Sequence, residues 1–213
     1  MNKKEKLALF LGMLSGDGCL PLQHSGQGYR DYAVRFCNTN KGIVNLFGDL
    51  FFKLFGGHGK IRVTRRKDRK DLYEFCKYSK KIVNDLINLG FPEGVKRDIL
   101  RVPKIINKGT KRERLYFIYG FLITDGCIRK NKTIIFHLGS KLFLQDLTKL
   151  INYSIKSNLK IKEYTQKGKY ESYQLNLYKE DAARLLRNMP TWHNGTALAL
   201  SLQFLLEKET LGR

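Results

Sequence analysis

Several things are scarce in this sequence. No apolar run approaches the roughly 20 residues that a membrane-spanning helix needs. The longest, 7–14 and 116–123, are under half that length. No cysteine pair has C-x-x-C spacing: Cys19, Cys37, Cys76 and Cys127 stand apart, which speaks against a zinc ribbon and for reduced thiols. His24, His58 and His193 fall in loops without the spacing of metal ligands. The basic start, MNKKEK, leads into an apolar stretch with no small-residue cleavage site and reads as mature protein. Acidic residues are few, 19 against 40 Lys+Arg, so the 213-residue chain carries a net charge of +21. An apolar content of 42% is enough for a packed core in one or two small domains. Charge this lopsided calls for a polyanionic partner, but it narrows the partner and not the activity.

The chain is written twice. GMLSGDGCL, from Gly12, returns as GFLITDGCI, from Gly120, which sets Asp17 and Asp125 in the same role 108 positions apart. Downstream the offset is 100: RFCNTNKGIVNLFGDLF from Arg35 lies on IFHLGSKLFLQDLTKLI from Ile135, so that Lys41 falls on Lys141. Ile61 then falls on Ile161, Tyr73 on Tyr173 and Tyr78 on Tyr178. The eight surplus residues of the first half belong to a longer loop, PLQHSGQGYRDY. A register kept over three blocks marks an internal repeat.

Each half reads as a helix ending at the Asp-Gly, a strand at 19–22 or 127–130, and a second strand at 33–38 or 133–138. A helix of 3.6-residue period follows, through Ile43, Val44, Phe47, Leu50, Phe51 and Leu54 or Leu142, Leu144, Leu147, Leu150 and Ile151. A strand begins at Ile61 or Ile161, another covers 72–77 or 173–177, and a helix covers 80–89 or 180–189. The expected fold class is α+β: two αββαββα repeats related by a pseudo-twofold axis, with antiparallel sheets. The expected division is 1–106, a basic linker at 107–114, and 115–213, with a last helix at 197–207.

Strand alternation assigns the faces. Ile134, Phe136, Leu138, Tyr173, Leu175 and Leu177 share the core side; Ile135 and His137, with Gln174 and Asn176, point away. By the repeat, Arg35, Cys37, Glu74 and Cys76 point outward in the first half. Arg62, Thr64 and Arg66 do so on its third strand, matching Lys162, Tyr164 and Gln166, and Arg129 lies on the first strand of the second half. Ordinary solvation explains one such strand. Over eight strands at this net charge, contact with nucleic acid explains them better, and paired strands of this kind fit the major groove. RRKDRKD, from Arg65, reads as a hairpin tip, and Trp192 as a core residue.

Gly12 and Gly120 stand at the same register in mid-helix, a cost of about 1 kcal/mol each against alanine. Each has a residue of small bulk four positions on, Gly16 or Thr124, so the two helices are expected to pack closely on each other. Asp17 and Asp125 then meet on the axis. An aspartate at a helix C-terminus faces the negative end of the macrodipole, and two neighbouring carboxylates repel. A divalent cation reverses both penalties, and carboxylate plus carbonyl oxygens suit Mg²⁺.

LFLGMLSGDG and IYGFLITDG resemble the two signature helices of LAGLIDADG homing endonucleases in their single-chain form, and the likeness covers nearly the whole chain. Ser15 and Ile123 depart from the first acidic letter of the motif; both copies keep the last. The resemblance implies saddle-shaped sheets on double-stranded DNA, and a monomer in the cytoplasm or an organellar matrix. It implies a metal-dependent break across the minor groove with 3′ overhangs, at a long pseudo-palindromic target, in intron or intein homing. It implies Mg²⁺, with Mn²⁺ as substitute, on Asp17 and Asp125 with the main-chain carbonyls of Gly16 and Thr124. It also implies basic and amide groups that organise water: Lys41, Lys141, Asn40 and Lys96. The alternative for any one lysine is a solvated or phosphate-contacting group. Intron RNA is a further possible partner on this reading, since a splicing maturase or a cleavage-inactive DNA-binding protein shares the fold.

Overall fold

Helix α1 (Lys3–Asp17) begins where Asn2 and Glu5 close a capping box: the Glu5 N–H donates to Asn2 Oδ1 and the Asn2 N–H to Glu5 Oε2, each at 2.9 Å. In the computed structural model, which describes residues 1–22, 32–129, 131–166 and 169–189, the helix is followed by β1 (Gly18–Cys19) and β2 (Ala33–Asn38). Then come α2 (Lys41–Phe55), β3 (Lys60–Thr64), β4 (Leu72–Tyr78) and α3 (Lys80–Asn88). A short helix, α4 (Lys104–Asn107), joins the halves. The second half repeats the order: α5 (Lys111–Asp125), β5 (Gly126–Ile128), β6 (Ile134–Leu138), α6 (Lys141–Ile155), β7 (Ile161–Gln166), β8 (Lys169–Leu177) and α7 (Lys179–Asn188). The expected loop region 23–31, the side chains of Tyr164 and Gln166, Trp192, His193 and the helix expected at 197–207 lie outside the described residues.

Both sheets are antiparallel and share one order, β1-β2-β4-β3 and β5-β6-β8-β7. The α+β class and the duplicated αββαββα plan therefore hold. Some boundaries move. The first strand of each half starts at the glycine after the aspartate and is shorter than expected, and β6 starts at Ile134. Helix α5 starts inside the stretch read as linker, because Thr110 and Glu113 form a second capping box. Its Arg112 reaches the buried Glu5 of α1 at 2.7 Å, tying the starts of the two repeated helices together.

Those helices form the centre. Every residue from Ala8 to Gly16 and from Leu115 to Ile123 is buried, as expected of a helix that is apolar all round. A Cβ built on Gly120 would lie 2.9 Å from the Met13 amide nitrogen and 3.2 Å from Gly12 Cα; one on Gly12 would run into the backbone of Phe117 and Phe121. The backbones touch, which only glycine permits at these two positions. Around this seam the first half packs rings: Phe47 stacks on Phe36 with centroids 4.2 Å apart and on Phe10 at 4.7 Å. The second half does the same more sparsely, with Phe121 4.9 Å from Phe143 and 5.8 Å from Phe136.

Candidate active site and nucleic-acid interface

The close helix packing decides where the acids go. A Cβ added to Gly16 would meet the Thr124 side chain and lie 3.5 Å from Asp125 Oδ2, so the C-terminal ends of α1 and α5 adjoin. Asp17 and Asp125 are thus drawn to one place, close enough for Asp125 to add to the upward push on the Asp17 carboxyl. Burial is the main cause of that push, which takes Asp17 to about 6 against the hydrogen bond from Asn38 and the nearby Lys96 ammonium. Burial raises Asp125 as well, and Lys96 opposes it. The Asp125 side chain is open to solvent at the rim, so water damps the effect there.

Lys96 occupies the junction. It comes from the loop after α3, whose Gly94 N–H donates to Leu20 O at 2.8 Å and so fixes the loop beside β1. The ammonium donates to Ser15 O and Gly18 O, each at 2.8 Å, to Leu14 O at 3.5 Å, and closely to Gly16 O. A cation at a helix C-terminus is favourable by up to about 2 kcal/mol in a partly buried setting. Burial lowers the Lys96 pKa, while Asp125 and Asp17 hold it up.

Asn38, the last residue of β2, was not anticipated. Its Nδ2 donates to Asp17 Oδ2 at 2.5 Å, and its Oδ1 accepts the Asn40 N–H at 2.7 Å. That second bond settles the orientation of the amide: with its oxygen engaged by a backbone donor, its NH₂ must face the carboxylate. The signal in the sequence was parity. Asn38 sits on the core side of its strand, below Val34 and Phe36, where a polar residue needs a partner. The repeat hid it, because its counterpart is Leu138.

The other expected groups are spread around this centre. Asn40 caps α2, its side-chain oxygen accepting from the Gly42 N–H at 2.9 Å and the Ile43 N–H at 3.4 Å. Lys41 is exposed on the first turn of α2. Lys141 pairs with Glu163 at 2.5 Å and lies over the Tyr173 ring at 5.4 Å, so its ammonium is drawn toward β7 and β8.

The outward sheet faces follow the register. Cys37 lies opposite Glu74 and Glu74 opposite Arg62; Arg35 lies opposite Cys76 and 3.9 Å from Glu74. In the second half His137, Gln174 and Lys162 form one row, and Gln174 donates to Asn176 Oδ1 at 2.6 Å. Thr64, Arg66 and Arg129 are exposed, the last two just beyond their strands. Ile135, expected to face away, does so by register between Cys127 and Asn176, yet it is only 6% exposed. All four cysteines are free thiols, and burial beside Glu74 pushes Cys37 up to about 11.

Among the described residues no group of three or more His, Cys, Asp or Glu side chains is placed to hold a metal ion. The junction instead offers two carboxylates and helix-end carbonyls, all hard oxygen donors, and it already accommodates the Lys96 cation. Such a set fits a small divalent ion that keeps several waters. Among the described residues no helix is long and apolar enough to cross a membrane.

Comparison with known proteins agrees with this layout. Residues 112–190 match the LAGLIDADG-like domain. Comparison with curated protein sequences finds no match. Among solved structures, the chain is similar to the homing endonuclease I-DmoI in complex with DNA and Ca: TM-score 0.72, 18% identity, covering 96% of this chain and all of that one. It is similar to an I-DmoI variant in complex with nicked target DNA in the presence of Mn: TM-score 0.68, 19% identity, 91% and 99% covered. The homing endonuclease I-WcaI bound to its DNA recognition sequence aligns at TM-score 0.58 and 16% identity, over 89% and 81% of the two chains. At these identities the likeness is one of fold.

Proposed function

We propose that this chain, which carries a LAGLIDADG-like domain over residues 112–190 and has the fold of I-DmoI throughout, is a site-specific DNA endonuclease. On this reading it makes a metal-dependent double-strand break and serves intron or intein homing. The reading rests on one observation: two carboxylates gathered where the repeated helices adjoin, in a chain of net charge +21.

The duplex lies along the outward faces. Arg62, Arg66, Arg129 and Lys162 contact phosphates and position it, while Arg35, Glu74, His137, Gln174 and Asn176 read base edges. The two faces carry different side chains, so the target is only roughly palindromic. Asp17 and Asp125, with the carbonyl of Thr124 and that of Gly16 once Lys96 releases it, would hold Mg²⁺ or Mn²⁺. The ion would supply Lewis acidity and charge neutralisation at the scissile phosphate. Each aspartate serves one strand and acts as its carboxylate. Asn38 holds Asp17 in one rotamer and favours its ionised form. Lys96 contributes a positive charge beside the acids. Lys41 and Lys141, one in each half, order water around the reacting group, the latter after leaving Glu163.

The test is a duplex carrying the uninterrupted host locus, incubated with Mg²⁺ and the wild type, Asp17→Asn or Asp125→Asn protein. Wild type should break both strands, and each variant should lose at least about a hundredfold in rate. Tight binding by the wild type without any nick overturns the nuclease reading and leaves a nucleic-acid-binding protein on this fold.

A further inference from the structure

The polar face of the second sheet does not stop where the pairing stops. Gln174 donates to Asn176 Oδ1, and Asn176 Nδ2 donates to the Tyr178 hydroxyl at 3.3 Å, so a hydrogen-bonded row runs along the outward face of β8 to its far end. The last paired row is Ile128, Ile134 and Leu177. Beyond it, at the end of the sheet away from Asp125, a cavity of about 690 Å³ opens between the β5–β6 turn and α7. Lys132 of the turn and Lys179, Arg184 and Arg187 of α7 line it, with Glu180 as the one acid among the described lining residues.

The walls are held in place. The Arg129 N–H donates to Thr133 O and the Lys132 N–H to Arg129 O, each at 2.9 Å, which closes the turn. Asn131 Oδ1 accepts the Thr133 N–H at 3.3 Å, which leaves the NH₂ of that amide, also on the cavity wall, to donate. Arg184 Nη1 donates to Ile155 O and Lys156 O, each at 3.3 Å, and lies 4.0 Å from Asp181. In the repeat Lys179, Arg184 and Arg187 align with Ser79, Asn84 and Ile87. The cations of α3 are Lys80 and Lys81, which align with Glu180 and Asp181, so this basic cluster belongs to the second half and is not a duplicated feature of the fold.

We infer that the cavity holds backbone phosphates of the duplex just past the stretch that lies on the second sheet, and so anchors the DNA flank on that side. Four cations and an amide donor against one carboxylate suit phosphate oxygens, which guanidinium groups match in pairs. Continuity with the outward face of β8 makes the duplex the source of those phosphates. Contacts of this kind fix position and carry no sequence information. The inference rests on the DNA binding of the proposed function, and its test reads binding and not cleavage.

In EDTA, duplexes carrying the uninterrupted host locus are trimmed base pair by base pair from either end, and affinity is followed by fluorescence anisotropy. Removing the flank at one end should cost the wild type about tenfold. Lys179→Gln with Arg187→Gln should bind the long duplex about tenfold more weakly, lower the slope of log affinity against log salt by about two, and respond no further to trimming at that end. Ala183→Glu, which adds a carboxylate to the cavity wall and removes no cation, should also abolish the response to trimming. Lys80→Gln with Lys81→Gln, which takes the same charge from α3, should keep the wild-type dependence on length. A wild type indifferent to trimming, a dependence that survives in both cavity variants, or its equal loss in the α3 variant overturns the flank anchor alone. Failure of the wild type to bind the long duplex overturns the DNA partner as well.

Discussion

Asp17→Asn should make the metal-free protein more stable at neutral pH. Asp17 is raised from 3.8 to about 6 on folding, so between those values the folded state binds more protons than the unfolded one, and stability falls as pH rises through the window. Above pH 6 the full penalty is present. About two units at 1.36 kcal/mol each gives an upper limit near 3 kcal/mol. Solvent on the half-buried carboxyl reduces it to about 2 kcal/mol. Asparagine does not titrate, its oxygen still accepts from Asn38, and Lys96 keeps its four carbonyl partners. The gain corresponds to about 4–8 °C in Tm for a domain of this size. The assay is thermal or urea unfolding in EDTA at pH 7.5 and pH 4. The variant should exceed the wild type at pH 7.5, and the difference should vanish at pH 4. Added Mg²⁺ should stabilise the wild type more than the variant. A variant no more stable than wild type at pH 7.5, or one offset equally at both pH values, would refute the account of a strained acid.

Gly120→Ala should cost at least about 3 kcal/mol in urea unfolding, because the new methyl meets backbone on α1 and not a yielding side chain. Phe47→Ala should cost about 3–5 kcal/mol, since the ring is fully buried between Phe10 and Phe36. In the metal-free protein the Asp17 carboxyl should titrate near 6 by NMR, and Asn38→Leu should move that midpoint upward by removing the hydrogen bond that lowers it. Arg62→Ala should weaken DNA binding and reduce the slope of log affinity against log salt by about one.

Much of this architecture was legible because the chain states it twice. Gly12 and Gly120 at one register, each at a loss in helix propensity, meant that something backbone-sized lay against both, and the something was each other. The acid pair followed from that contact. What duplication reveals it also conceals. In the repeat Asn38 aligns with Leu138, and Lys96 with Thr196, so comparing the halves gave no hint of the amide on Asp17. The likeness to relatives pointed to Lys96, but not to its bonds with the α1 carbonyls. The start of α5 was missed for a different reason: a run of basic residues looked like linker, while Thr110 and Glu113 inside it were already capping a helix. Ile135 shows the limit of alternation, which assigns a direction to a side chain and leaves its exposure to the neighbours.

The backbone contact between Gly12 and Gly120 has a consequence for how such a protein changes over generations. The spacing of the two carboxylates is ruled by main chain, which mutation leaves alone, whereas the outward sheet faces are made of side chains. A lineage can therefore change those faces, residue by residue, while the acid pair stays at its original gauge.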